Sequence, residues 1–102
     1  MQNAFTVHCI PWQAGAPLLQ AIRATASKTG LMDQAKVRAD KLDEQCRHAL
    51  ALSKNGDAIG CARITQDGQI ERMVILPHEQ QALIETALIE VLNDYSNLRC
   101  KQ

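Results

Sequence analysis

Two glycine turns cut residues 47–76 into three short β-prone runs, and little besides an antiparallel meander accommodates that pattern. Asn55-Gly56 is a strong two-residue hairpin signal, and Asp67-Gly68 repeats it. The expected strands are residues 47–54, 58–66 and 69–76. With two-residue loops, Lys54 faces Asp57 and Gln66 faces Gln69. Counting back sets His48 opposite Arg63 and Arg63 opposite Arg72, so three potential cations form a row across the sheet. Leu50, Leu52, Cys61 and Val74 share that face. Like charges directly opposite are unfavourable. Either acidic side chains such as Asp40, Asp43 or Glu44 neutralise the row, or an anionic ligand does. The opposite face carries Ala49, Ala51, Gly60 and Ala62, small enough for a helix to dock closely.

The flanking segments add a strand and two helices. Residues 5–10 are rich in β-formers and stop at Pro11. Residues 12–17 read as a loop, with Trp12 anchoring it on the core. Leu18, Leu19, Ile22 and Ala26 recur at helical spacing, which predicts a helix from near Ala16-Pro17 to Gly30. Residues 31–45 are polar and weakly periodic: a loop, with room for a short helix over 34–40. A last helix over 79–95 puts Ile84, Leu88, Val91, Leu92 and Tyr95 on one face. Residues 98–102 are too few to assign. A chain of 102 residues with these elements is one domain, residues 1–102, of the α/β class in the broad α+β sense.

Composition narrows the function classes. Formal net charge is zero and no cluster of Lys or Arg exceeds two neighbours, which argues against nucleic-acid binding by counterion release. No apolar run approaches a membrane span, and the N-terminus lacks the pattern of an export signal. Cys9, Cys46, Cys61 and Cys100 show neither CxxC nor Cys/His metal spacing, so no metal site is expected. Reduced, mostly buried thiols in a cytoplasmic protein are the expectation. His8 and His78 read as an edge and a cap residue.

The third strand runs Arg72-Met-Val-Ile-Leu-Pro77 straight into the start of the last helix. A strand feeding a helix N-terminus gathers unpaired amides and the positive end of the dipole, an anion site in principle. Glycines normally let a phosphate approach such amides, and residues 78–85 contain none. Together, Arg47-His-Ala-Leu-Ala-Leu52, Asn55-Gly-Asp-Ala-Ile-Gly-Cys-Ala-Arg63 and Asp67-Gly-Gln-Ile-Glu-Arg-Met-Val-Ile-Leu-Pro77 resemble the core of the GNAT superfamily of N-acetyltransferases. The resemblance covers roughly residues 5–95, with a fainter match at Met32-Asp33-Gln34 and Val37. It implies strand–helix, three-stranded antiparallel meander and C-terminal helix, lacking the C-terminal third of that fold.

The resemblance also implies a cofactor, acetyl-CoA or another acyl-CoA. Main-chain groups of Met73, Val74 and Ile75 would pair with its pantetheine arm. Gln80 fits the first place of the family's pyrophosphate pattern, R/Q-x-x-G-x-G/A, whereas Gln81, Leu83 and Glu85 stand where glycine or another small residue is usual. Bulk and negative charge there weaken any grip on a diphosphate. For a base that takes the proton of an attacking amine, the candidates are Glu71 and His48. Glu71, opposite Ile64, is expected to face away from the His48 row. The missing later strands leave the 69–76 strand as an open edge, which a homodimer or residues 98–102 folding back could cover. The implied function is an acyl-CoA-dependent N-acetyltransferase domain with weakened or lost catalysis. The alternative is a non-catalytic remnant that self-associates or binds a partner through that edge.

Overall fold

The computed structural model describes residues 5–30 and 41–100. Strand β1 (Phe5–Pro11) leads into helix α1 (Trp12–Lys28). Strands β2 (Arg47–Ser53), β3 (Ala58–Ile64) and β4 (Ile70–Ile75) follow, and helix α2 (Gln81–Cys100) closes the chain. The four strands form one antiparallel sheet in the order β1-β2-β3-β4. The expected α+β architecture is therefore present. The short helix expected over 34–40 lies outside the described residues.

Alternation along the strands sends neighbouring residues to opposite faces of the sheet. On one face Leu50, Cys61 and Val74 pack under Trp12, Leu19, Ile22 and Ala26 of α1. On the other, Ala49, Ala51, Ala62 and Ile64 pack under Ile84, Leu88 and Leu92 of α2, with Val91 and Tyr95 at the margin. The small-residue face does receive a helix. A Cβ added at Gly60 would lie 3.1 Å from Ile84 Cγ2 and 3.4 Å from the Val74 carbonyl oxygen, so α2 sits as close as the backbone allows.

Helix α1 begins at Trp12, five residues before the expected Pro17. Residues 12–17 are thus helical, although Pro17 cannot donate to the Gln13 carbonyl. Burial outweighs that lost bond: Trp12 and Gly15 are both buried, and Gly15 meets the Ile10 side chain so closely that a Cβ there would clash. Leu18, expected inside, is exposed, and Arg23 takes the inward position instead. Helix α2 starts at Gln81 and continues through Cys100, so residues 98–100 are helical rather than folded back against β4.

Both hairpins differ from the expected two-residue loops. The Gly56 N–H bonds to Ser53 O (2.9 Å) and the Ser53 N–H to Asp57 O (2.8 Å); Gly68, Thr65 and Gln69 repeat this arrangement at 2.9 Å. Gly56 (φ 86°) and Gly68 (φ 87°) are left-handed, whereas Asn55 and Asp67 are not. A type I′ turn needs positive φ at both central residues; a three-residue loop with one left-handed glycine needs it only once. Each hairpin then carries a compensating bulge. In β2–β3 the register shifts between Ala51 and Leu52 and restores His48 opposite Arg63, as expected. In β3–β4 the shift comes later, between Cys61 and Arg63. Arg63 therefore lies opposite Glu71 and not Arg72. Arg72 absorbs the extra residue with a left-handed backbone, φ 52°.

Candidate functional site

The His48 face of the sheet holds a buried ionic cluster. Arg23, from α1, and Arg63, from β3, converge on Asp43 in the tight turns of residues 41–46. The Arg23 guanidinium grips the Asp43 carboxylate with two parallel bonds, Nη1 to Oδ2 (3.0 Å) and Nη2 to Oδ1 (2.9 Å). Arg63 Nη1 donates to the same Oδ1 at 2.9 Å. Its Nε donates to Glu71 Oε1 at 2.8 Å, and its Nη2 donates to that oxygen as well. Two guanidiniums and two carboxylates cancel, which buried charges require. The row is thus neutralised by Asp43, one of the expected acids; Glu44 is exposed, and Asp40 lies outside the described residues. Glu71 faces the cluster rather than away from it, because the late bulge moves it one place along the strand.

His48 is fully buried in the same cluster. Its Nε2 donates to the Asp43 main-chain carbonyl at 2.9 Å, while Nδ1 is buried with no hydrogen-bond partner among the described residues. The bond to a carbonyl fixes the hydrogen on Nε2 and leaves Nδ1 with a bare lone pair. Burial lowers the imidazole pKa below 6.5; the Asp43 carbonyl and carboxylate pull it up, and Arg23 and Arg63 push it down again. The Trp12 ring lies 5.2 Å from the His48 ring, and the Arg23 guanidinium sits 5.4 Å from the Trp12 ring. Cys61, beneath Arg23, has its thiol pushed up to about 11 by burial, against the pull of the guanidinium. At neutral pH it is a protonated core thiol. Neither Cys9 nor Cys46 forms a disulfide among the described residues.

The two candidate bases therefore belong to one network. Glu71 reaches it through Arg63, and His48 through Asp43. Their surroundings differ: Glu71 Oε1 is held by Arg63, and the His48 Nδ1 is buried. Glu71 does reach the surface, with its side chain 37% exposed. There it borders a cleft of about 250 Å³ between Leu42, Gln45 and Cys46 on one side and the β3–β4 turn on the other.

Met73, Val74, Ile75 and Gln80 lie at the junction of β4 and α2. The Leu76 N–H bonds to Ile59 O at 2.9 Å, and Val74 is paired with Cys61. In an antiparallel ladder main-chain groups alternate in direction. Val74 and Leu76 thus point theirs at β3, and Ile75 between them points its own outward, whereas Met73 lies in the bulge beside Arg72, where the alternation is interrupted. Among the described residues no strand pairs with that outer side of β4. The start of α2 is closed by its own chain. His78 Nδ1 accepts from the Gln80 N–H at 3.0 Å, and the His78 carbonyl accepts from Gln81 N–H at 3.3 Å. His78 is a cap, as expected, and Gln81, Leu83 and Glu85 are all exposed along the start of α2, whose first turn holds no acidic residue. His8, in edge strand β1, shares a 3.0 Å hydrogen bond with the Thr6 hydroxyl.

Sequence reasoning missed Arg23 and the extent of Asp43's role. Arg23 was legible in outline, since it stands at the inward spacing set by Leu19, Ile22 and Ala26. Among the described residues no group of His, Cys, Asp and Glu is placed to hold a metal, and no helix is long and apolar enough to cross a membrane. No protein-family model, curated protein or solved structure matches the chain.

Proposed function

We propose that this chain is a GNAT-like domain that holds acyl-CoA weakly along β4 and does not turn it over. The observation that carries the reading is the outward main-chain face of Ile75, on the side of β4 with which no strand pairs among the described residues, immediately before α2. The amides of a pantetheine arm can add to such an edge much as a peptide strand does. The diphosphate gains little, because His78 already occupies the Gln80 amide. Proton transfer has no ready base, since Glu71 and His48 are committed to the ionic cluster.

Calorimetric titration with acetyl-CoA and with CoA at millimolar concentration tests the reading. Both should bind, and Ile75→Pro, which deletes one outward N–H without touching the ladder to β3, should abolish the heat while the fold survives. Release of free CoA thiol over a panel of amines should stay at background. Absence of binding by the unaltered protein at millimolar ligand refutes the reading, and turnover above background refutes its non-catalytic half.

A second reading rests on the same open edge: β4 pairs with β4 of another copy and the domain acts by self-association. Sedimentation then shows a dimer that Ile75→Pro dissociates, with no response to CoA. A strictly monomeric protein rules this out.

A further inference from the structure

We propose that Asp43, clamped between Arg23, Arg63 and His48, is an acid-released latch: protonation of His48 frees residues 41–46 from the sheet and opens the cleft beside Glu71. This goes beyond the acyl-CoA reading and does not depend on it.

The geometry sets the latch in three parts. Residues 41–46 reach the sheet through Asp43, whose carboxylate takes bonds from both guanidiniums and whose carbonyl takes the bond from His48. The same segment supplies Leu42, Gln45 and Cys46 to one wall of the cleft, so its release widens that space. The third part is the His48 Nδ1, a buried acceptor facing no donor. A proton placed there creates a buried N–H with no acceptor and a third positive charge beside Arg23 and Arg63. The closed state resists that proton, and an open state that wets the ring accepts it. The lowered pKa of His48 agrees in direction.

The charged groups facing His48 are few. Arg23 comes from α1, Asp43 from the 41–46 turns, and Arg63 from β3, with Glu71 of β4 behind Arg63 and the protonated Cys61 thiol beside Arg23. Strand β1 presents only Ile10 opposite. Among the described residues Asp43 is the one negative group in contact with the ring, 3.9 Å from Nε2, and its oxygens are already shared by two guanidiniums. It cannot compensate a further cation. The sign follows from linkage. The folded pKa lies below the open-state value, so closure is fully favoured above pH 6.5 and weakens as pH falls below it. Where the open state holds one more proton, the opening constant rises about tenfold per pH unit.

Hydrogen exchange of the full chain tests this between about pH 7 and pH 5, a window centred on histidine rather than carboxylate titration. After correction for intrinsic rates, the Gln45 and Cys46 amides, both bonded to Leu42 O, should lose protection about tenfold per pH unit at the acid end. Amides of α2 should hold theirs. Over the same range Cys46 should become open to a pyridyl disulfide, located by mass spectrometry. His48→Gln, whose amide can still donate to Asp43 O but does not titrate, should remove the pH step. Imidazole nitrogen shifts in the unaltered protein provide a second measure that needs no variant. The Nε2–H tautomer should persist at neutral pH, and its loss should coincide with the loss of amide protection. A step that survives in His48→Gln, a protected segment throughout the window, or a His48 that protonates with residues 41–46 still closed overturns the latch.

Discussion

Asp43→Ala is the perturbation that most directly probes the cluster. It strips three acceptor contacts from two guanidiniums, Arg23 Nη1 and Nη2 and Arg63 Nη1, all in a part of the molecule water does not reach. Arg63 keeps Glu71 as a partner, but Arg23 is left as a buried charge beside Trp12 and a neutral thiol. Breaking a buried pair from one side costs about 3–5 kcal/mol, because the stranded charge stays desolvated. A domain of this size has only about 5–15 kcal/mol in all. With a urea m-value of roughly 2 kcal/mol/M, the midpoint should fall by about 2 M. Trp12 is the only tryptophan and stacks against the cluster, so its fluorescence reports unfolding at the affected spot. Glu44→Ala, on the exposed neighbour, should stay within about 0.5 kcal/mol of the unaltered protein. The decisive comparison is Asp43→Ala combined with Arg23→Met. Removing the stranded charge should recover part of the loss, a coupling that independent sites do not show. A cost for Asp43→Ala under about 1 kcal/mol, or strict additivity in the double variant, refutes the stated role of Asp43.

Gly60→Val should destabilise by about 1–3 kcal/mol, since its side chain enters space already taken by Ile84 and Leu88. Ile84→Ala in the same chain should return part of that in urea titrations, and a neutral Gly60→Val would show that α2 is not tightly seated. At the β4 bulge, Arg72→Gly and Arg72→Val remove the same side chain but differ in backbone freedom. The left-handed φ of 52° favours glycine, so the glycine variant should be the more stable by about 1–2 kcal/mol in thermal melts. Equal melting temperatures would argue against the bulge.

The fold was legible wherever burial follows a repeating pattern. The alternation through Ala49–Ala51 and Leu50–Leu52 gave both faces of β2, and the 3.6-residue stripe of Ile84, Leu88 and Leu92 gave the docking face of α2. Illegible was anything decided by competition between local preference and packing. Pro17 looked like a boundary because a proline disfavours helix interior, yet the burial of Trp12 and the contact of Gly15 with Ile10 carry the helix through it. The turns failed for a subtler reason. Asn-Gly and Asp-Gly are compatible with both two- and three-residue loops, and the difference is one register step. In β2–β3 a bulge close to the turn cancels that step, so His48 still meets Arg63. In β3–β4 the bulge lies beyond Arg63, and the step is uncancelled where it matters.

That single displaced bulge decides the character of the site. Had the shift come at the turn, Arg72 would stand beside Arg63, and the sheet would present an excess of positive charge in need of an anion. Because it comes at Arg72, Glu71 occupies that place, and the cluster closes on itself with matched charges. The same displacement ties Glu71, through Arg63 and Asp43, to His48. A local backbone choice thus converts a potential anion-binding row into a charge-matched ionic cluster, buried at Arg23, Asp43 and His48 and reaching the surface at Glu71.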